Sequence, residues 1–206
     1  MKVLLINGSP HEKGCTYTAL SLIAGELNAA GIETEILNVG TKPVGGCIGC
    51  GGCAVGKGCV FGGVVNEAIE KAKTADAFVF GSPVHYASAA GNMASFMDRL
   101  AYAGGKYLAY KPAAICCSAR RAGTTSTLDQ LVKYPQFFHM PLVSGSYWPM
   151  VHGSNPEQVL QDAEGCAVMQ ELGRNMAWLL RCIEAGKAAG IDHPQNPPRP
   201  MTNFIR

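Results

Sequence analysis

Five short apolar runs alternate with amphipathic stretches along the chain, and that alternation limits the folds open to it. Val3, Leu4, Leu5 and Ile6 form an unbroken β-rich run, as in strands buried on both faces of a parallel sheet. Comparable strands are expected over 32–39, 77–80, 113–117 and 142–146. Between them, helical periodicity is expected over 16–30, 64–74, 88–103, 125–134 and 156–188. Strict β-α order predicts an α/β fold: a five-stranded parallel, doubly wound sheet with right-handed crossovers and helices on both faces. Ligands of such sheets bind at the carboxyl ends of the strands.

Composition agrees with one large core. The chain has 206 residues, 48% hydrophobic and 16% charged, with a net charge of +2. That balance makes no case for a nucleic-acid or membrane partner. The apolar start breaks at Asn7-Gly8-Ser9-Pro10, short of a signal peptide or membrane span. Nine cysteines, an odd number, argue against a disulfide framework and for a reducing, cytoplasmic setting.

Four of those cysteines crowd into one loop, residues 45–60. Cys47, Cys50 and Cys53 form a C-x2-C-x2-C run, and Cys59 follows six residues later. Three thiolates so close, with a fourth within reach, suit an iron–sulfur cluster of the 4Fe-4S kind. The interleaved glycines would let the backbone wrap a bulky inorganic core. Structural zinc usually draws on two well-separated knuckles, so overlapping knuckles fit it less well. A loop that binds nothing stays open as a third reading.

The first loop joins residue 8 to the helix expected from 16. It lacks both G-x-G-x-x-G and G-x4-G-K-[ST]; Cys15 stands where a P-loop lysine would be. Ser9, Thr16 and Thr18 instead place hydroxyls beside a helix start, where free amides and the dipole favour an anion such as a terminal phosphate. Thr16 can equally be a helix cap. After the third strand comes Gly81-Ser82-Pro83-Val84-His85-Tyr86, able to present backbone amides and an aromatic ring to a flat ligand. After the fourth comes Ser118-Ala119-Arg120-Arg121-Ala122-Gly123, which can bring Gly123 close to a ligand and set arginine charge near it. Residues 190–206 carry four prolines and no helical or strand period, so 191–206 read as an extended arm following a domain of residues 1–190. The apolar end, 201–206, suggests that the arm lies on a partner subunit.

Taken together, Gly8-Ser9-Pro10 followed by Gly14-Cys15-Thr16, Gly81-Ser82-Pro83-Val84-His85-Tyr86, Phe96-Met97-Asp98-Arg99-Leu100 and the compact cysteine motif resemble the iron–sulfur flavoprotein branch of the NAD(P)H-dependent FMN reductases. The resemblance spans about residues 1–150 and departs at His11 and Cys15, where relatives often carry arginine and asparagine. It implies a flavodoxin-like three-layer sandwich. FMN phosphate would sit at Ser9, Pro10, His11, Cys15, Thr16, Tyr17 and Thr18, and the flavin ring against Pro83, Val84, His85 and Tyr86. Ser118, Arg120, Arg121 and Gly123 would border the ring. Cys47, Cys50, Cys53 and Cys59 would hold the cluster. The resemblance also implies a homodimer or homotetramer in which a neighbour helps enclose the flavin. The expected activity moves electrons between a reduced donor, NAD(P)H or ferredoxin, and an acceptor through FMN and the cluster. A cluster-free reductase of quinones, azo compounds or FMN is one alternative, and a non-enzymatic flavodoxin-like carrier another. No general acid or base is expected.

Overall fold

A computed structural model of the chain describes residues 1–202 and 204. Its elements, in chain order, are β1 (Lys2–Asn7), α1 (Cys15–Ala29), β2 (Glu33–Asn38), α2 (Val64–Thr74), β3 (Ala77–His85), β4 (Ser88–Ala89), α3 (Gly91–Gly104), β5 (Ala113–Ala119), α4 (Thr124–Phe137), β6 (Met150–His152), α5 (Pro156–Val159) and α6 (Ala163–Ala188). Five strands pair in parallel in the order β2-β1-β3-β5-β6, and β4 folds back antiparallel on the end of β3.

Period-two alternation along the strands builds two cores from one sheet. Leu4, Ile6, Phe78, Phe80 and Ile115 face the layer of α2, α3 and α4. Their neighbours Val3, Leu5, Val79 and Cys116 face α1 and α6. Because both faces are covered, the central strands read as continuous apolar runs without the alternation of a half-exposed sheet. The result is the three-layer, doubly wound architecture expected.

Several boundaries differ from expectation for identifiable reasons. The fifth strand is not 142–146. Leu142 makes one isolated bridge with Ala113, and the ladder beside β5 is completed by Met150–His152 opposite Cys117–Ala119. Side chains of α6 claim the displaced backbone: Glu171 accepts from the amide and hydroxyl of Ser146, and Asn175 donates to the Ser144 carbonyl. The helix expected over 156–188 is two helices. Asn155 caps the first through the Gln158 amide and Asp162 caps the second through the Gly165 amide, so a second start signal interrupts the run. The helix expected over 125–134 runs on to Phe137, three residues into the stretch between it and the strand expected from 142. The helix expected from 88 starts at Gly91, since Ser88 and Ala89 pair with His85 and Val84.

The described part of the tail has neither helix nor strand from Ile191 onward. It touches its own chain: the His193 ring stacks on Tyr110 at 4.3 Å, Asn196 donates to the Tyr110 hydroxyl, and Arg199 lies 5.4 Å from the Phe137 ring. Part of the apolar end expected to lie on a partner, residues 203, 205 and 206, falls outside the described residues.

Candidate active site at the strand ends and the cysteine loop

The carboxyl ends of β1, β3 and β5 lie side by side, and three loops issue from them. Asn7, the last residue of β1 and fully buried, organises the first. Its Oδ1 accepts the Ser9 amide at 3.1 Å. Its Nδ2 donates to Asn38 Oδ1 at 2.8 Å and to the Glu12 carbonyl at 3.2 Å. Ser9 Oγ then accepts the His11 amide at 3.1 Å. A buried asparagine that satisfies both ends of a loop fixes its path, since leaving those groups unpaired in the interior is costly.

The loop delivers the chain to α1 without a side-chain cap on the helix. Among the described residues the amides of Cys15, Thr16 and Tyr17 have no acceptor, whereas the Thr18 amide already bonds the Gly14 carbonyl. Three unclaimed amides at the start of a 15-residue helix form an anion-seeking surface. The hydroxyls expected beside them are largely engaged elsewhere. Thr16 is buried and its hydroxyl meets that of Ser118 at 2.8 Å, tying α1 to β5. Thr18 Oγ1 donates to the Gly14 carbonyl and Cys15 Sγ to the Gly153 carbonyl. Burial pushes the Cys15 thiol up from its ordinary value, so it stays neutral.

The second loop is a two-residue hairpin. Val84 pairs with Ala89 and His85 with Ser88, leaving Tyr86 and Ala87 at the turn with φ of 50° and 59°. Positive φ at both positions is the type I′ arrangement, normally given to Asn-Gly, and an aromatic residue there is strained. The turn is held from outside. Gln130 of α4 accepts from the Ser88 hydroxyl and the Ala89 amide, and the fully buried Ser82 hydroxyl accepts the Ala90 amide. It thrusts Tyr86 entirely into solvent, with His85 also exposed and Pro83 and Val84 half-buried.

The third loop packs on the second. Gly123 has φ of 93°, and a Cβ there would come within 2.7 Å of the Ala87 Cα. Its close approach, expected toward a ligand, is therefore to the hairpin turn. Arg120 and Arg121 are exposed. The Arg121 carbonyl meets His152 Nε2 at 3.1 Å, and Asp162 accepts the His152 amide, so β6 and the start of α6 brace the loop. The residues named for the flavin thus lie on three loops that issue from one end of the sheet, but the Tyr17 side chain lines a separate groove with Ser21, Asn28 and Ile36, between α1 and β2. Asn7, Gln130, His152 and Asp162, which support these loops, are not among the residues expected from the sequence to form the site, and Ser82 enters there only within the Gly81-Ser82-Pro83 motif. Of the first four, Asn7 alone carries a sequence signal, as the polar residue that ends a buried apolar run.

The cysteine loop leaves β2 at the same end of the sheet and runs back along α3. Asn92 receives it: its Oδ1 accepts the Val44 amide and its Nδ2 donates to the Gly40 and Lys42 carbonyls. Asn66 of α2 closes its exit, donating to the Cys59 carbonyl and accepting the Cys59 amide. Cys47, Cys50, Cys53 and Cys59 line one concavity of about 580 Å³ with Arg99 and Tyr102 of α3. Arg99 lies seven residues beyond Asn92, or roughly 10 Å down the helix. The thiol site therefore flanks the sheet instead of sitting on the strand-end rim. Gly49, Gly51, Gly56 and Gly58 all have positive φ, as a backbone curling around a space requires.

No three His, Cys, Asp or Glu side chains among the described residues close around a point where a single ion would sit. A tetrahedral zinc holds its sulfurs about 3.8 Å apart, given Zn–S bonds of about 2.3 Å. The four cysteines supply soft thiol donors to one concavity, and the buried Arg99 guanidinium lies against one of them, Cys59.

A doubly wound sheet with an anion-seeking helix start, and two further loops issuing from the same end, defines a flavodoxin-like fold. The family profile described as NADPH-dependent FMN reductase matches residues 1–155, and the chain belongs to that family, whose flavin is FMN and whose redox partner is NAD(P)H. It is 28% identical to an iron–sulfur flavoprotein of Methanocaldococcus jannaschii over 192 residues, covering 89% of this chain and 100% of that one. It is 30% identical to an iron–sulfur flavoprotein of Archaeoglobus fulgidus over 196 residues, covering 91% and 96%. Among solved structures, RosB with bound 8-demethyl-8-formylriboflavin-5'-phosphate superposes with a TM-score of 0.68 at 14% identity, covering 100% of this chain and 96% of that one. Among the described residues no helix is long and apolar enough to cross a membrane.

Proposed function

We propose that this protein passes electrons from NAD(P)H or a ferredoxin to an acceptor through FMN on the strand-end rim and a 4Fe-4S cluster on Cys47, Cys50, Cys53 and Cys59. The observation that carries the reading is the gathering of all four thiols around one concavity on the flank of a flavin-binding sheet. When bound, FMN exchanges electrons in pairs or singly and a cluster carries one at a time, so the two together divide a hydride's electrons.

The chain's own residues bind and orient. Backbone amides of Cys15, Thr16 and Tyr17 receive the phosphate, with Ser9, Pro10, His11 and Thr18 forming the loop around it. Pro83, Val84, His85 and Tyr86 meet the ring, and the strained hairpin keeps the Tyr86 side chain projecting. Ser118 and Gly123 fix the facing loop, while Arg120 and Arg121 bring positive charge to a rim that must tolerate a reduced, anionic flavin. The rim is open and Tyr86 is bare, which favours a second copy of the chain closing over it in a homodimer or homotetramer.

The test is anaerobic purification followed by flavin, iron and sulfide assays, absorption spectra and titration with NADH and NADPH. FMN near one per chain, together with about four irons per chain and matching sulfide, is the expected result. FMN without iron, with reduction by NAD(P)H intact, would leave the cluster-free reductase in its place.

A further inference from the structure

Arg99 is 5% exposed, yet among the described residues it makes no salt bridge. A guanidinium taken out of water without an anion is unfavourable, so its surroundings show what it is for. Its Nε donates to Cys59 Sγ at 3.2 Å, its Nη1 to the Gly45 carbonyl at 3.4 Å and its Nη2 to the Gly62 carbonyl at 3.1 Å. The Phe61 ring covers it at 5.2 Å. One residue of α3 therefore ties both ends of the cysteine loop and touches one of its sulfurs. The adjacent carboxylate, Asp98, also lines the concavity, but it accepts the Tyr134 hydroxyl at 2.6 Å instead of pairing with Arg99. The other titratable groups that line the concavity are the remaining loop thiols and the Tyr102 phenol.

We infer that Arg99 is a positioning residue of the cluster site. Its charge balances the thiolate-bound cluster, its Nε–H bonds the Cys59 sulfur, and its two Nη atoms clamp Gly45 and Gly62. This rests on the cluster reading above. Positive charge and an N–H···S bond favour the more negative, one-electron-reduced state, so Arg99 raises the reduction potential of the site. A lysine keeps the charge but lacks the planar fork that reaches three acceptors at once.

The test compares full-length wild type with Arg99→Gln and Arg99→Lys, purified anaerobically, with FMN content as the control for folding. EPR-monitored redox titration of Arg99→Gln should show the cluster's reduced-to-oxidised ratio fall about tenfold at fixed potential, 59 mV more negative for one electron. Arg99→Lys should fall between it and wild type, with the flavin potentials unmoved in both. A cluster potential in Arg99→Gln equal to wild type overturns the inference. Should neither variant hold a cluster, wild type labelled with ¹⁵N-arginine decides it. Pulsed EPR of the reduced protein should show hyperfine coupling from a guanidinium nitrogen, and its absence overturns the role. Wild type that contains no iron or sulfide sinks the cluster reading along with this one. A normal cluster with no coupling and no shift sinks only Arg99.

Discussion

The strand-end rim and the cysteine loop are built in opposite ways. The rim is cross-tied along its length: the buried Asn7 holds the first loop, the buried Ser82 and the half-buried Gln130 the second, and the close approach of Gly123 and the part-exposed His152 the third. The cysteine loop is tied at its ends, by Asn92 at entry, Asn66 at exit and Arg99 across both. Between those ties Ile48, Val55 and Val60 stand exposed. A rim whose loops are held in place, with only the amides of Cys15, Thr16 and Tyr17 left unclaimed, would offer a ligand a prearranged seat. A loop pinned only at its ends would gain order from a group that it bound, which would couple ligation to local folding there.

The largest effect that separates the regions comes from the thiols. Replacing Cys47, Cys50, Cys53 or Cys59 by serine exchanges a soft thiolate for a poorly ionised hydroxyl, and iron should fall from about four per chain toward zero. FMN content, read by absorption and fluorescence after heat release, should stay within error of wild type. Parallel loss of flavin and iron would show that the two regions are one folding unit.

Asn7→Ala attacks the rim at its root. It strands the Ser9 amide and the Glu12 carbonyl and should cost about 3 kcal/mol, lowering Tm by roughly 6–12 °C for a chain of this size. FMN affinity should drop while the loop thiols keep their iron. Gly123→Ala is next. Its positive φ and the 2.7 Å approach to Ala87 give a cost on the order of 2 kcal/mol. Fluorescence titration should then show FMN binding weakened about tenfold, that being about 1.4 kcal/mol of the strain expressed at the ring. A Gly123→Ala protein with wild-type FMN affinity would show that the hairpin turn does not touch the flavin.

Ser9→Ala is smaller still. It removes the acceptor of the His11 amide and should cost about 1 kcal/mol, with FMN affinity falling more than riboflavin affinity because the phosphate is the group affected. Equal losses for the two ligands would place the phosphate elsewhere. The least perturbing measurement is thiol alkylation of metal-free protein at pH 9. Burial pushes the Cys117 thiol up to about 12 and raises Cys116 as well, so both stay neutral and protected below that pH. The exposed Cys47 and Cys50 should react within minutes. Rapid labelling of Cys117 would contradict the packed β5 on which the rim stands.

Much of this was legible in the chain. The apolar runs 3–6, 77–80 and 113–117 identify the three central strands because these are buried on both faces, and burial leaves no polar alternation to blur the signal. The edge strand was misplaced to 142–146 because Val143 is apolar and buried while its neighbours Ser144 and Ser146 are claimed by α6. Apolar burial does not reveal which backbone groups a distant helix will occupy. Thr16 illustrates the same limit inside the site: its place beside the helix start was readable, but its hydroxyl's partner is Ser118, 102 residues away.

The sequence by itself determined the doubly wound order, the position of the first-loop helix start, and the presence of four thiols on one glycine-rich loop. Each follows from local pattern: hydrophobic period, helix-start chemistry and ligand spacing along a few residues. Only the tertiary structure decided that the thiol loop runs down α3 instead of crowning the sheet, that Gly123 serves the Tyr86 hairpin, and that Arg99 is buried against Cys59. Those are pairings between segments far apart in the chain. They are selected by packing and by the need to satisfy every buried donor and acceptor at once, which no single stretch of residues encodes.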